Sequence, residues 1–140
     1  MGSLALVAAL ATILGGSMIT SAALEPPVIH ETFTLLPCPA KPMTTLDLEG
    51  CAEHRIVRSD AAINARVRAI FFLLEGVAVR GRFVRGERAW LTYRRAVCAS
   101  RADAAGGGTV YPVALADCEA DLNDAHLTDL RRFERELRHH

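Results

Sequence analysis

Trp90-Leu91-Thr92-Tyr93-Arg94-Arg95-Ala96-Val97-Cys98, followed by Gly106-Gly107-Gly108-Thr109 and then Cys118, is the stretch that sets the fold. Trp90, Tyr93 and Val97 recur at spacings of three and four, which makes them the apolar edge of a helix over about Glu87 to Ala102, with Arg94 and Arg95 on its polar edge. The glycine run ends that helix in a turn. Beyond it Leu115, Cys118, Leu122, Leu130, Phe133 and Leu137 mark a further long helix whose Asp and Glu residues fall on the exposed side. Upstream, Ile56, Ile63, Val67, Ile70, Leu74 and Val77 form the stripe of a helix beginning after Cys51, and Gly81 to Gly86 is read as the turn that ends it.

Three helices joined by short loops predict an all-α fold, a small antiparallel three-helix bundle over residues 51–138. Residues 24–50 are read as an irregular, Pro-rich N-terminal segment, since 25–50 carry five prolines. Thr32-Phe33-Thr34-Leu35 alternates as an extended stretch would, but no strand partner is in sight.

The first 24 residues carry no charged side chain, and Leu4 to Ile19 is a nearly unbroken apolar run closed by Thr20-Ser21-Ala22-Ala23. This is the pattern of a signal peptide over 1–23, with cleavage expected after Ala23 and a mature chain beginning near Glu25-Pro26-Pro27. The competing reading is a retained membrane anchor, because the run approaches spanning length. No cysteine closes the run, so a lipid-modified amino terminus is not expected. Removal of the leader leaves about 117 residues, enough for one domain.

Sixteen basic and sixteen acidic residues balance, so no global pull towards nucleic acid exists, and membrane association is expected only if the leader is retained. The distribution is uneven: eleven arginines face four acids over 52–101, and eight acids face four arginines over 103–138.

Four cysteines in a small exported chain imply disulfides rather than free thiols. Three pairings are possible. Cys38 with Cys51 and Cys98 with Cys118 are favoured, because each encloses a short stretch rich in Pro or Gly. Loops of about 14 and 21 residues would each contribute roughly 3 kcal/mol on a chain-entropy model. No metal site is expected, since the cysteines lack close pairs and His30, His54, His126, His139 and His140 do not supply ligands at familiar spacings. No small-molecule cofactor is implied.

Enzymatic chemistry also lacks a candidate. Ser59 and Ser100 stand outside any Gly-x-Ser-x-Gly setting, and the Ala105 to Thr109 loop has no phosphate-cradling Lys. Asp117, Glu119, Asp121 and Asp124 have no substrate-positioning motif beside them. Trp90 and Tyr93 read as core or boundary residues. Arg94 is placed to bridge Asp60 or Asp121, Asp60 and Asn64 share one helix face and read as structural, and His126 sits beside the apolar stripe as a boundary histidine.

Taken together, Trp90-x-x-Tyr93-Arg94-x-x-x-Cys98, Gly107-Gly108-Thr109, Cys118, Cys51-Ala52-Glu53 and Asp60-Ala61-Ala62-Ile63-Asn64 resemble the lysozyme-inhibitor LprI family in order and spacing, from about Cys38 to Leu137. The chain departs from that pattern at Val67, Glu87-Arg88-Ala89 and His126. The resemblance implies a periplasmic or secreted disulfide-bonded helical module that inhibits lysozyme by occluding its cleft, without chemistry of its own. Against a basic lysozyme, Asp117, Asp121 and Asp124 with the glycine loop are the expected contact surface. The alternative is a scaffolding domain that binds another envelope protein.

Overall fold

The computed structural model describes residues 24–139, so the signal peptide expected over 1–23 lies outside the described residues. Three helices follow one another: α1 Thr45–Leu73, α2 Val77–Ala104 and α3 Val110–His139. Each has about 28 to 30 residues and so spans roughly 43 Å.

Helix α1 starts six residues before Cys51, earlier than the apolar stripe implies. Its start is set by a capping box. The Thr44 hydroxyl accepts from the Asp47 N–H at 3.1 Å, and Asp47 Oδ2 accepts from the Thr44 and Met43 N–H groups at 3.0 Å. Those bonds hold the Asp47 carboxyl below its ordinary range.

The α1–α2 turn also differs from the sequence expectation. It lies at Leu74 to Gly76, where Gly76 takes φ 84°, whereas Gly81 and Gly86 sit inside α2. A helical glycine costs only about 1 kcal/mol relative to alanine. The packing of Phe83, Val84 and Trp90 along the same helix outweighs that cost. Val77 therefore opens α2, 68% exposed, instead of closing the α1 core stripe. The second turn is the glycine run as expected, with positive φ at Gly106, Gly107 and Gly108. Helix α3 begins right after it at Val110, and Pro112 fits in the first turn because the missing N–H would have no intrahelical partner there.

The side-chain pairings give the directions. Arg55 meets Asp117 and Asp121 while Arg66 meets Glu134, so α1 and α3 run the same way. Cys98 joins Cys118 while Phe83 meets Phe133, so α2 runs against both. Small residues let α1 and α3 approach closely at one end, where Ala52, Ile56, Ala116 and Ala120 form a compact apolar cluster. A larger cluster at the other end unites Ile63, Val67, Ile70, Leu74, Leu127 and Leu130, with Phe83, Trp90 and Phe133 packed against it.

Helices α1 and α2 touch little directly, and the Pro-rich segment is the strap that joins them. Asn64 grips Ile29, its Oδ1 accepting from the Ile29 N–H at 2.8 Å and its Nδ2 donating to the Ile29 carbonyl at 3.0 Å. Further along, the Leu36 N–H donates to Glu53 Oε2 at 2.9 Å and the Leu36 carbonyl lies 3.0 Å from His54 Nε2. The strap thus runs antiparallel to α1 and makes no strand. Its end is fixed by the Cys38–Cys51 disulfide, one of the two favoured pairings, both of which are present.

Candidate functional site

Between the two apolar clusters lies a layer of polar side chains. Ser59 and Asp60 follow Ile56 by three and four residues, and Asn123 follows Ala120 by three, so all three point into the core. Arg94 enters from α2. It is 4% exposed, so at Arg94 the polar edge of α2 is turned into the bundle. Its Nη1 donates to Asp60 Oδ1 at 2.8 Å and to Asn123 Oδ1 at 2.9 Å, and its Nη2 donates to Glu31 of the strap at 3.0 Å. Asn123 Nδ2 in turn donates to Ser59 Oγ and Asp60 Oδ1, each at 2.8 Å. One guanidinium therefore ties all three helices and the strap together.

Two carboxylates share that one cation. Burial pushes the Asp60 carboxyl up to about 6, Arg94 pulls it down, and the nearby Glu31 raises it again. Asp60 Oδ2 and Arg94 Nε have no hydrogen-bond partner among the described residues. Asp60 Oδ1 already accepts from Arg94 and Asn123, so a proton on this carboxyl would sit on Oδ2.

Above this layer Trp90 stacks on His126, with ring centroids 3.8 Å apart and planes 13° from parallel, and His126 Nε2 lies 2.9 Å from Glu87 Oε2. The Arg94 guanidinium lies 5.7 Å from the Trp90 ring centre. Trp90 and His126 are thus boundary residues. Tyr93, by contrast, is 53% exposed and not part of the packed edge. Asn64 serves the strap, and Asp121 pairs with Arg55, leaving Asp60 as the acid of Arg94.

The acids expected to meet a partner lie on the outer face of α3. Asp117, Asp121 and Asp124 are all exposed and converge on Arg55, at 3.2, 2.7 and 3.6 Å. Spacings of four and three place them in a single row along the helix. Their combined field raises the Arg55 guanidinium further, with the Asp121 hydrogen bond the main cause. Since one cation answers three carboxylates, the row keeps a net charge of about −2. Gly107 and Gly108 stand in the turn at the same end of the bundle.

Behind that row a cleft of about 430 Å³ opens between the strap and all three helices. Glu49, Glu119 and Arg95 line it together with Phe33 and Tyr111. Burial pushes the Glu119 carboxyl upward, the main cause of its shift. Among the described residues no group of three or more His, Cys, Asp or Glu is arranged to hold a metal ion, and no cysteine is free.

Glu31 and Asn123 belong to the polar layer with no reading from the sequence, and Ser59 drew one only as a rejected nucleophile. Asn123 could have been found as a polar residue on the apolar stripe between Ala120 and Leu127, and Ser59 likewise between Ile56 and Ile63. Glu31 has no such signal, because nothing in an irregular segment gives its depth.

No curated protein and no solved structure matches the chain. The family described as Lysozyme inhibitor LprI matches residues 38–130, a span that contains all four cysteines, Asp60, Arg94 and Asn123. This match covers well over half of the sequence, and with the disulfide-bonded helical fold built around those residues the chain belongs to the lysozyme inhibitor LprI family.

Proposed function

We propose that this chain is an exported binding module that inhibits a basic lysozyme by covering its cleft, with Asp117, Asp121, Asp124 and the Gly106 to Gly108 turn as the contact surface. Membership of an inhibitor family supplies the kind of partner, and the two disulfides suit an extracellular or periplasmic location. The observation that carries the choice of surface is the α3 row itself. Three exposed carboxylates are held in register by Arg55 and still carry excess negative charge, so they meet a cationic enzyme without a large ordering cost.

The test is lysozyme turnover with the oxidised protein in micromolar excess. Inhibition is expected, and the Asp117→Asn/Asp121→Asn/Asp124→Asn variant should weaken it roughly tenfold, mostly through slower association and lower salt sensitivity. Unchanged turnover with the wild-type protein would remove the lysozyme reading. Inhibition that ignores the triple variant would remove this surface. Capture of a different envelope protein, with no effect on lysozyme, would favour a scaffolding role.

A further inference from the structure

The even overall charge conceals a polarised molecule. The directions of the helices place residues 24–29, 63–90 and 125–139 in one half of the bundle and 30–62 and 91–124 in the other. The first half holds ten arginines against six carboxylates, and the second six basic residues against ten carboxylates. The two ends thus differ by eight charges along a rod of roughly 43 Å.

The basic end also exposes apolar side chains to solvent. Phe72 is 64% exposed at the end of α1, and Val77 and Val79 are exposed at the start of α2. Beside Phe72, Phe71, Pro27, Val28 and Arg68 line an open cleft of about 620 Å³. Arg82 and Arg85 stand three apart on α2, and Arg131 and Arg135 four apart on α3, so each pair shares a helix face. All four are exposed and make no ion pair among the described residues. The chain enters the described fold at this end, where the Glu25 carbonyl accepts from Arg88 at 3.4 Å.

From these features we infer that the arginine-rich end of the bundle, with Phe72 and its cleft, docks on an anionic phospholipid surface. Arginines around exposed aromatic and aliphatic side chains match the layered chemistry of a bilayer interface, where phosphates lie outside acyl chains. Neither feature alone suffices: the charges supply attraction that salt screens, and Phe72 with Val77 supplies shallow insertion. Docking end-on turns the Asp117 to Asp124 row away from the lipid. A protein held this way presents its acidic end to the surrounding medium. This orientation does not depend on the identity of the partner met there.

Co-sedimentation measures it, with oxidised protein purified after export and vesicles of phosphatidylglycerol mixed with phosphatidylcholine, or phosphatidylcholine alone. Binding is expected only to the anionic vesicles and should decline steeply as salt is raised. Each arginine near an anionic surface multiplies partitioning about fivefold, so Arg82→Gln/Arg85→Gln/Arg131→Gln should lower it on the order of a hundredfold. Phe72→Ser should weaken binding while leaving the salt dependence, and Asp117→Asn/Asp121→Asn should leave it intact. Circular dichroism checks that each variant is folded, and the Phe72 variant provides a second measure if the arginine variant is not. Equal binding to both kinds of vesicle, absence of binding to anionic vesicles at low salt, or full binding by the folded arginine variant would each overturn the inference.

Discussion

Replacing Arg94 with alanine is the sharpest perturbation of the interior, because it removes the one cation that Asp60 and Glu31 share and orphans the Asn123 carbonyl. Breaking a buried ion pair from one side costs about 3 to 5 kcal/mol, since the remaining charge stays desolvated. A domain of this size holds roughly 5 to 15 kcal/mol in all, so Arg94→Ala should be severely but measurably destabilised. The pH dependence separates this account from a simple packing loss. The folded Asp60 carboxyl, near 6, lies above its ordinary value of 3.8, so the native state binds the extra proton between those values. The stabilisation linked to that proton is fully present below about pH 4 and lost as pH rises through 6, a total on the order of 3 kcal/mol. About 1 kcal/mol of it falls between pH 5 and 7. Asp60→Asn keeps an acceptor for Arg94 but cannot titrate, so its stability should stay within about 1 kcal/mol of wild type at pH 7 and its profile should lack that segment. Arg94→Ala should recover part of its loss at pH 5, where its stranded Asp60 carboxyl is largely protonated. Urea unfolding at pH 5 and 7, with both disulfides intact, measures all three proteins. Two results would refute the reasoning: a loss below about 1 kcal/mol for Arg94→Ala at pH 7, or parallel profiles for wild type and Asp60→Asn.

The glycines offer an opposed pair of expectations. A Cβ on Gly50 would lie 2.2 Å from the Pro37 carbonyl oxygen, a backbone atom anchored beside the Cys38–Cys51 bridge, so Gly50→Ala should cost about 1 to 3 kcal/mol. Gly86 is helical with nothing within 4 Å of the added carbon, so Gly86→Ala should gain up to about 1 kcal/mol, and denaturant midpoints that move the other way would discredit both placements. The Cys98–Cys118 bridge closes a separation of 20 residues across α2 and α3, and replacing both cysteines with alanine should cost about 3 kcal/mol, a Tm fall of roughly 10 to 20 °C. Calorimetry showing an unchanged Tm would mean that the helices are held without that brace.

Periodicity made much of the scaffold legible. The stripes from Ile56 to Ile70 and from Cys118 to Leu137 have the spacing of core helix faces, and the Asp60–Arg94 pair follows from two charged residues on facing helices. Gly81 and Gly86 misled because their helix cost is small beside the packing of Phe83 and Val84, whereas Gly76 takes the positive φ of the turn. Thr44 and Asp47 carried a readable capping signal just after a run of prolines. The strap was illegible for a deeper reason. Beyond the short alternation of Thr32 to Leu35 it has neither period, and what seats it are contacts from α1 and α2, the Asn64 grip on Ile29 and the Arg94 grip on Glu31, whose partners are more than thirty residues away.

The same separation limits what family membership says about the partner. Of the residues that carry the LprI pattern, Asp60, Arg94 and Cys98 are buried, while Trp90 and Asn64 are engaged with the core and the strap. Apart from the exposed Tyr93 and the glycine turn, such a pattern is a constraint on packing: it requires three helices of the right register and a cation between them. The row on α3 proposed as the contact surface obeys a different constraint, since Asp117, Asp121 and Asp124 need only remain exposed and anchored by Arg55. The interior fixes the direction of α3, α3 fixes the row, and the charge of the row is free to follow the partner. Exchange of these three acids should therefore alter binding with little change in stability, whereas Arg94→Ala should alter both, because a loosened α3 no longer holds its carboxylates in line.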